Sequence, residues 1–277
     1  MSIKKLFIFI ILFSDFLLAQ ATIDDLNSNA EKLFENGNYF SAITEFKRVL
    51  FFDERSTYSF NANYKIGLCY KQGAFYDEAI KYFSFAEKST NDIEKIFELK
   101  TQVIRCNILR RTTERAIQLC NELENDKRFS QFIGKINYWK GWAFIFADDW
   151  KSAEKFFQNS EEGTQLKYIA QKVNREKLSV TFAKVISYIL PGSGQIYAGN
   201  YFAGFLSLAW NVAAGYFTIN SFLANRAFDG IVIGELVWLR FYKGNVENAE
   251  KYAVQKNLEV SNKTLKFLQE EYRGLKP

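Results

Sequence analysis

The 277-residue sequence contains no histidine. That absence removes the Ser–His–Asp and Cys–His constellations and most zinc sites together. Cysteine is scarce as well: Cys69, Cys106 and Cys120 are the three, and they show no CxxC or metal-ligand spacing. Proline is confined to Pro191 and Pro277. A carboxylate pair such as Asp148–Asp149 does not serve as an acid–base couple, because adjacent residues on a helix point to different faces. These absences point away from an enzyme and imply no cofactor. A net positive charge is missing from most of the chain. The net charge is +5, yet residues 22–163 carry 20 basic and 22 acidic side chains, whereas residues 164–277 carry 14 and 8. The excess lies in the C-terminal third, where an anionic lipid surface is the natural counterpart. Nucleic acid is not expected, because no recognised nucleic-acid motif accompanies the charge.

What is present is a period. Ala42, Ala79, Ala116 and Ala153 stand 37 residues apart. A small residue lies twelve positions before three of them, at Ala30, Gly67 and Gly141. A bulky residue lies four after: Phe46, Phe83 and Phe157, with Cys120 in the third unit. An aromatic residue precedes three of the alanines by three positions, at Tyr39, Tyr76 and Trp150. Spacings of three and four keep these residues on one helical face. Small residues then let two antiparallel helices approach while the bulky one fills the space beside them. A fixed period in this range means stacked supersecondary units and a binding surface. Cys69 and Cys106 fall at equivalent positions of adjacent units and read as buried thiols. Cys106 and Cys120 share one hairpin interior, so a bridge between them is a second possibility.

The small–aromatic–Ala–Phe pattern over residues 23 to 163 resembles the tetratricopeptide repeat (TPR), a helix–turn–helix unit. Two features depart from that family. The period exceeds the usual 34 or so, and the terminal proline is absent. The third unit also has Ile104 for the small residue. The resemblance implies an all-α fold, an α-solenoid of four units over 22–163. It also implies that the first helix of each unit lines a groove. That groove would be formed by Tyr64, Leu68, Lys71 and Gln72 in unit two, Arg105 and Ile108 in unit three, and Tyr138, Trp142 and Phe146 in unit four. Aromatic residues beside Lys and Arg suit a peptide with acidic and apolar positions.

The flanking segments read as membrane sequence. Residues 1–21 have a basic start, an apolar run interrupted by Ser14 and Asp15, and the small-x-small string Ala19-Gln20-Ala21. That is the pattern of a secretory signal peptide. Residues 201–224 form 24 residues without a formal charge, long enough to span a bilayer core of about 30 Å. Shorter apolar runs at 178–190 and 230–242 flank it. The brief link at 224–230 predicts an antiparallel hairpin. The lipid bilayer is therefore the expected partner of residues 178–242 within a membrane domain at 164–257. Glu235 and Asn211 lie in or near these runs, where polar groups are costly and often functional. Gly244-Asn245 reads as a helix cap, and residues 258–277 as an amphipathic tail.

Between the first two runs stands Pro191-Gly192-Ser193-Gly194-Gln195-Ile196-Tyr197-Ala198-Gly199. The string lacks the Lys and register of a phosphate-binding loop. It reads as a helix-breaking corner at the membrane surface, with Gly192 and Gly194 permitting the reversal, Gln195 satisfying freed backbone groups and Tyr197 anchoring depth. PGxGQxYxG followed by an apolar span resembles a small uncharacterised bacterial membrane domain. It is distantly similar to the two-span family with a GxxGxHRFYxG turn, whose His-Arg pair is missing here. The leading expectation is an exported adaptor anchored in the bacterial inner membrane, with its repeats on the periplasmic side. The positive-inside rule conflicts with that side, because Lys167, Lys172, Arg175, Lys177, Lys184, Arg240 and Lys243 flank the hairpin. The alternative is a membrane-active component, such as a small channel, lipid-binding element or insertion helper, with the repeats as its docking arm.

Overall fold

A computed structural model describes residues 22–277. The expected signal segment, 1–21, lies outside the described residues. Among the described residues the fold is all-α, with no strand. The chain divides into two compact units, one running to Thr164 and the other from Gln165 to Lys276.

The first unit is a run of helical pairs: α1 (Ile23–Glu35) with α2 (Tyr39–Phe52), α3 (Ser59–Gln72) with α4 (Tyr76–Lys88), α5 (Ile93–Leu109) with α6 (Thr113–Asn125), and α7 (Ile133–Phe146) with α8 (Trp150–Gln158). Each helix packs chiefly on the one before it and the one after. Thr22 opens the run with a capping box, its hydroxyl accepting the Asp25 N–H while the Asp25 carboxylate accepts the Thr22 N–H. The four period alanines are each the fourth residue of the second helix in a pair, and each is fully buried. Phe46, Phe83, Cys120 and Phe157 are buried one turn further on.

The glycines of the period answer to those phenylalanines. A Cβ on Gly67 would lie 2.6 Å from the Phe83 ring, and one on Gly141 2.7 Å from the Phe157 ring. In the third unit both positions change together: Ile104 replaces the small residue and Cys120 the ring, and both are buried. Volume moves from one helix to the other and the register survives.

The turns inside the pairs share a second period. Gly37, Ala74, Arg111 and Asp148, again 37 apart, all have positive φ. At each, two reverse hydrogen bonds close the preceding helix. In the first turn they are Gly37 N–H to Phe34 O and Asn38 N–H to Leu33 O. This is the Schellman arrangement, in which one left-handed residue satisfies the orphan carbonyls.

The second unit contains α9 (Thr164–Glu176), α10 (Val180–Ile189), the short α11 (Ser193–Tyr197), α12 (Tyr201–Leu223), α13 (Ala227–Val232), a π-helical turn at Ile233–Trp238, and α14 (Leu239–Glu270). α12 is the one helix among the described residues long and apolar enough to cross a membrane. It pairs with α13 and the π turn, and α14 packs on α10 and α11. The short link before α13 makes the expected hairpin: Phe222 covers Gly230, Thr218 meets Gly234, and Trp238 covers Gly215. The buried face of α12 is small or polar (Gly204, Asn211, Ala214, Gly215, Thr218, Ser221). Its aromatic and branched residues, including Phe205, Trp210, Val212 and Phe217, are exposed.

One expectation is corrected here. Gly244-Asn245 is not a cap: α14 runs unbroken from Leu239 through both residues and past 258. The Asn245 side chain is buried instead, because the corner at Gly192 needs its amide.

Candidate functional site

The expected groove residues divide. Tyr64, Lys71 and Arg105 are partly buried and come together on facing first helices, α3 and α5. Lys71 Nζ donates to Gln102 Oε1 at 3.1 Å, and Gln102 Nε2 donates to Glu98 Oε1 at 2.8 Å. The Arg105 guanidinium lies over the Trp139 ring of α7, 4.8 Å from its centroid. Two cations thus share a partly dry site. Burial, with Arg105 adding its repulsion, lowers the Lys71 ammonium to about 8. Burial also lowers the Arg105 guanidinium, against the pull of Glu98 and Tyr64. The Tyr64 phenol is raised by burial and by Glu98. Desolvated cations with one shared carboxylate are suited to an incoming anion, whose arrival would raise the Lys71 ammonium back toward its ordinary range.

The other groove residues behave differently. Ile108, Tyr138 and Trp142 are buried. They belong to the core, Ile108 on the inner side of α5 and the other two on α7, which is buried all round over residues 136–143, so they offer no groove surface. Leu68 is half-buried against the cluster of Ala79 and Phe83. Gln72 is exposed at the end of α3. Phe146 stands by the α7–α8 turn, beneath the Arg111 guanidinium at 4.7 Å. All three cysteines are buried and free, so no Cys106–Cys120 bridge forms. Burial pushes the Cys69 and Cys106 thiols up to about 11 and Cys120 to about 12, which leaves them unreactive.

The corner is built as a hub around Asn245. Pro191 follows the end of α10, and Gly192 has φ +92°. The Gly192 N–H donates to Asn245 Oδ1 at 2.7 Å, and the Gly194 N–H to Ser187 Oγ at 3.0 Å. Asn245 Nδ2 donates to the Ser187 carbonyl at 2.9 Å. Gln195 Nε2 donates to the Asn245 carbonyl and Oδ1, and Ser207 Oγ to the same Oδ1. Gly194 is helical, so it does not make the reversal. It is required by proximity, since a Cβ there would strike Ser187 and come within 2.6 Å of the Ala249 methyl. Tyr197 is tied inward: its hydroxyl accepts the Ser179 N–H at 3.2 Å and its ring meets Phe182 edge-on. Gly199, φ +84°, closes α11 in the Schellman manner.

Sequence reasoning missed Asn245 as the hub and missed an aromatic patch on α2, where Phe40, Phe51 and Phe52 are exposed around Lys47. A signal for the corner was present. Gly199-Asn-Tyr-Phe-Ala-Gly204 repeats Gly37-Asn-Tyr-Phe-Ser-Ala42 almost letter for letter. In both, glycine is left-handed and a small residue follows as the buried fourth position of the next helix. Among the described residues no group of three or more His, Cys, Asp or Glu side chains is placed to hold a metal ion. No protein-family model and no curated protein matches the chain.

Proposed function

We propose that the chain is a membrane-held docking adaptor without catalysis of its own. In this reading the first unit is a TPR-like α-solenoid. It binds a carboxylate-bearing peptide segment of a partner protein at the Lys71–Arg105 site. The second unit is a small membrane domain, distantly related to the two-span class. It holds the chain in the bacterial inner membrane, with the repeats on the periplasmic side. The desolvated cations Lys71 and Arg105, the latter over the Trp139 ring, carry the docking half. The exposed apolar surface of α12 around a small, polar inner face supports the membrane half.

The docking half is tested with the full chain in detergent, titrated with acidic peptides and their Glu→Gln counterparts. Acidic peptides should bind more tightly, and Lys71→Met with Arg105→Met should remove the difference. Equal binding of both peptide sets would defeat it. The membrane half predicts that alkaline carbonate leaves the protein in the pellet. A reporter fused after Thr164 and active only in the cytoplasm would refute the exported side. The membrane-active alternative is favoured by one observation, the ionisable side chains Glu235, Arg240 and Lys243 gathered in a cleft of the second unit.

A further inference from the structure

Between α12 and α14 runs a cleft of about 990 Å3. Gln195 and Asn211 line it, at 1% and 5% exposure. Their amide nitrogens are occupied, by Asn245 and by the Ser207 carbonyl. Their carbonyl oxygens, Gln195 Oε1 and Asn211 Oδ1, receive no hydrogen bond among the described residues. What both lack is a donor, and an unpaired buried acceptor is the costly state of an amide.

Four ionisable side chains line the same cleft: Glu235, Arg240, Lys243 and Glu247. None has an ion pair or hydrogen bond among the described residues. Glu235 stands in the π turn, a widening of the helix that recurs at functional sites. The apolar part of the wall includes Leu206, Leu239 and Trp210, which stacks on Phe241 at 5.3 Å. Gly244 leaves the cleft wide, since a Cβ there would meet nothing within 4 Å.

An occupant must therefore supply hydrogen-bond donors, an anion for Arg240 and Lys243, a cation for Glu235 or Glu247, and apolar chains for the wall. Water supplies only the first. We propose that the cleft holds the headgroup of a glycerophospholipid bearing a primary amine. The phosphate lies against Arg240 and Lys243, the ammonium donates toward the orphan carbonyls and a carboxylate, and the acyl chains follow the exposed face of α12. This assignment rests on the membrane reading above.

The test uses the full chain, purified in detergent, stripped of lipid and examined by native mass spectrometry. Phosphatidylethanolamine should bind as one molecule per chain. It should be preferred about tenfold over phosphatidylcholine, which has no N–H, and over phosphatidylglycerol, which has no cation; this is the loss expected from one unmet buried acceptor. Gly244→Leu, which fills the cleft, should abolish binding, and Arg240→Gln should weaken all three lipids through their shared phosphate, neither lowering the unfolding midpoint. Equal binding of the three lipids, or phosphatidylethanolamine binding untouched by both variants, overturns the assignment. So does displacement of the lipid by phosphoethanolamine alone, or a lipid-free dimer that Gly244→Leu breaks, which would give the cleft to a second copy of the chain. Carbonate extraction separates the two readings. Protein that stays in the pellet but binds all lipids alike sinks the headgroup alone, whereas protein released to the supernatant sinks the membrane reading too.

Discussion

The string Gly-Asn-Tyr-Phe-small occurs once in each unit, at 37–42 and at 199–204, and the two helices that follow it are opposites. After Gly37, α2 turns Ala42, Phe46 and Val49 inward in the usual amphipathic manner. After Gly199, α12 buries Gly204, Asn211, Gly215 and Thr218 and leaves its aromatic residues outside. The corner is the same and the solvent preference is reversed. Turn chemistry fixes where a helix starts and how it leaves its neighbour. The composition of the following helix decides what it must be surrounded by.

The comparison is broken most severely at the second corner. Gly194→Val places a branched side chain against Ser187 and Ala249 at a buried N–H. It should cost about 3 kcal/mol or more and cut the amount of folded protein, read by thermal unfolding in detergent. Gly37→Ala, by contrast, meets open space and suffers only its φ of +74°. About 1 kcal/mol is expected there, and a loss as large as that of Gly194→Val would show that Gly37 is held by packing and not by its φ alone.

Next in size is overpacking inside the period. Ala79→Leu should cost roughly 1–3 kcal/mol by denaturant unfolding. Cys120→Phe should cost a similar amount beside Ile104, and Ile104→Ala in the same chain should recover most of it. A coupling of about 1 kcal/mol in that double-mutant cycle would show that the third unit keeps the repeat by exchanging volume. Simple additivity would defeat the idea.

The Lys71 site gives a pH signature. Its folded-state value of about 8 lies below the ordinary lysine range. The unfolded chain therefore holds more protons between about pH 8 and 10.5, and this group favours folding as pH rises through that window. Peptide affinity should run the other way, falling above pH 8 as the ammonium is lost. Isothermal titration at two pH values measures it, and Lys71→Met should erase the dependence. The smallest effect concerns Ala74, a left-handed residue without glycine's freedom. Ala74→Gly should stabilise by about 0.5–1 kcal/mol, the left-handed penalty less glycine's entropy.

The 37-residue period was legible because close helix crossings need small residues at fixed spacing. The left-handed turns carry the same period but were hidden, since alanine, arginine and aspartate occupy three of the four. Lys71 and Arg105 could be placed from the register of the first helices. Tyr138 and Trp142 were misjudged because the apolar residues of α7 are spread round the helix, with Asn137 and Lys140 among them, so its sequence does not tell an inward face from an outward one. Asn245 was misread because Gly-Asn marks a cap locally, whereas its partner Gly192 lies 53 residues away.

The π turn at Ile233–Trp238 acts as a phase adjuster. Gly230, Gly234, Trp238, Phe241, Asn245 and Ala249 all look back at α11 or α12. A regular helix between Gly230 and Ala249 would sweep about five and a quarter revolutions. The one extra residue held by a π turn brings this close to five whole turns, and both ends face the same way. Deleting a single residue there would restore regular winding at the same phase, whereas inserting one would leave α14 intact as a helix but swing Asn245 away from Gly192. The corner would then fail although nothing in the corner itself had changed.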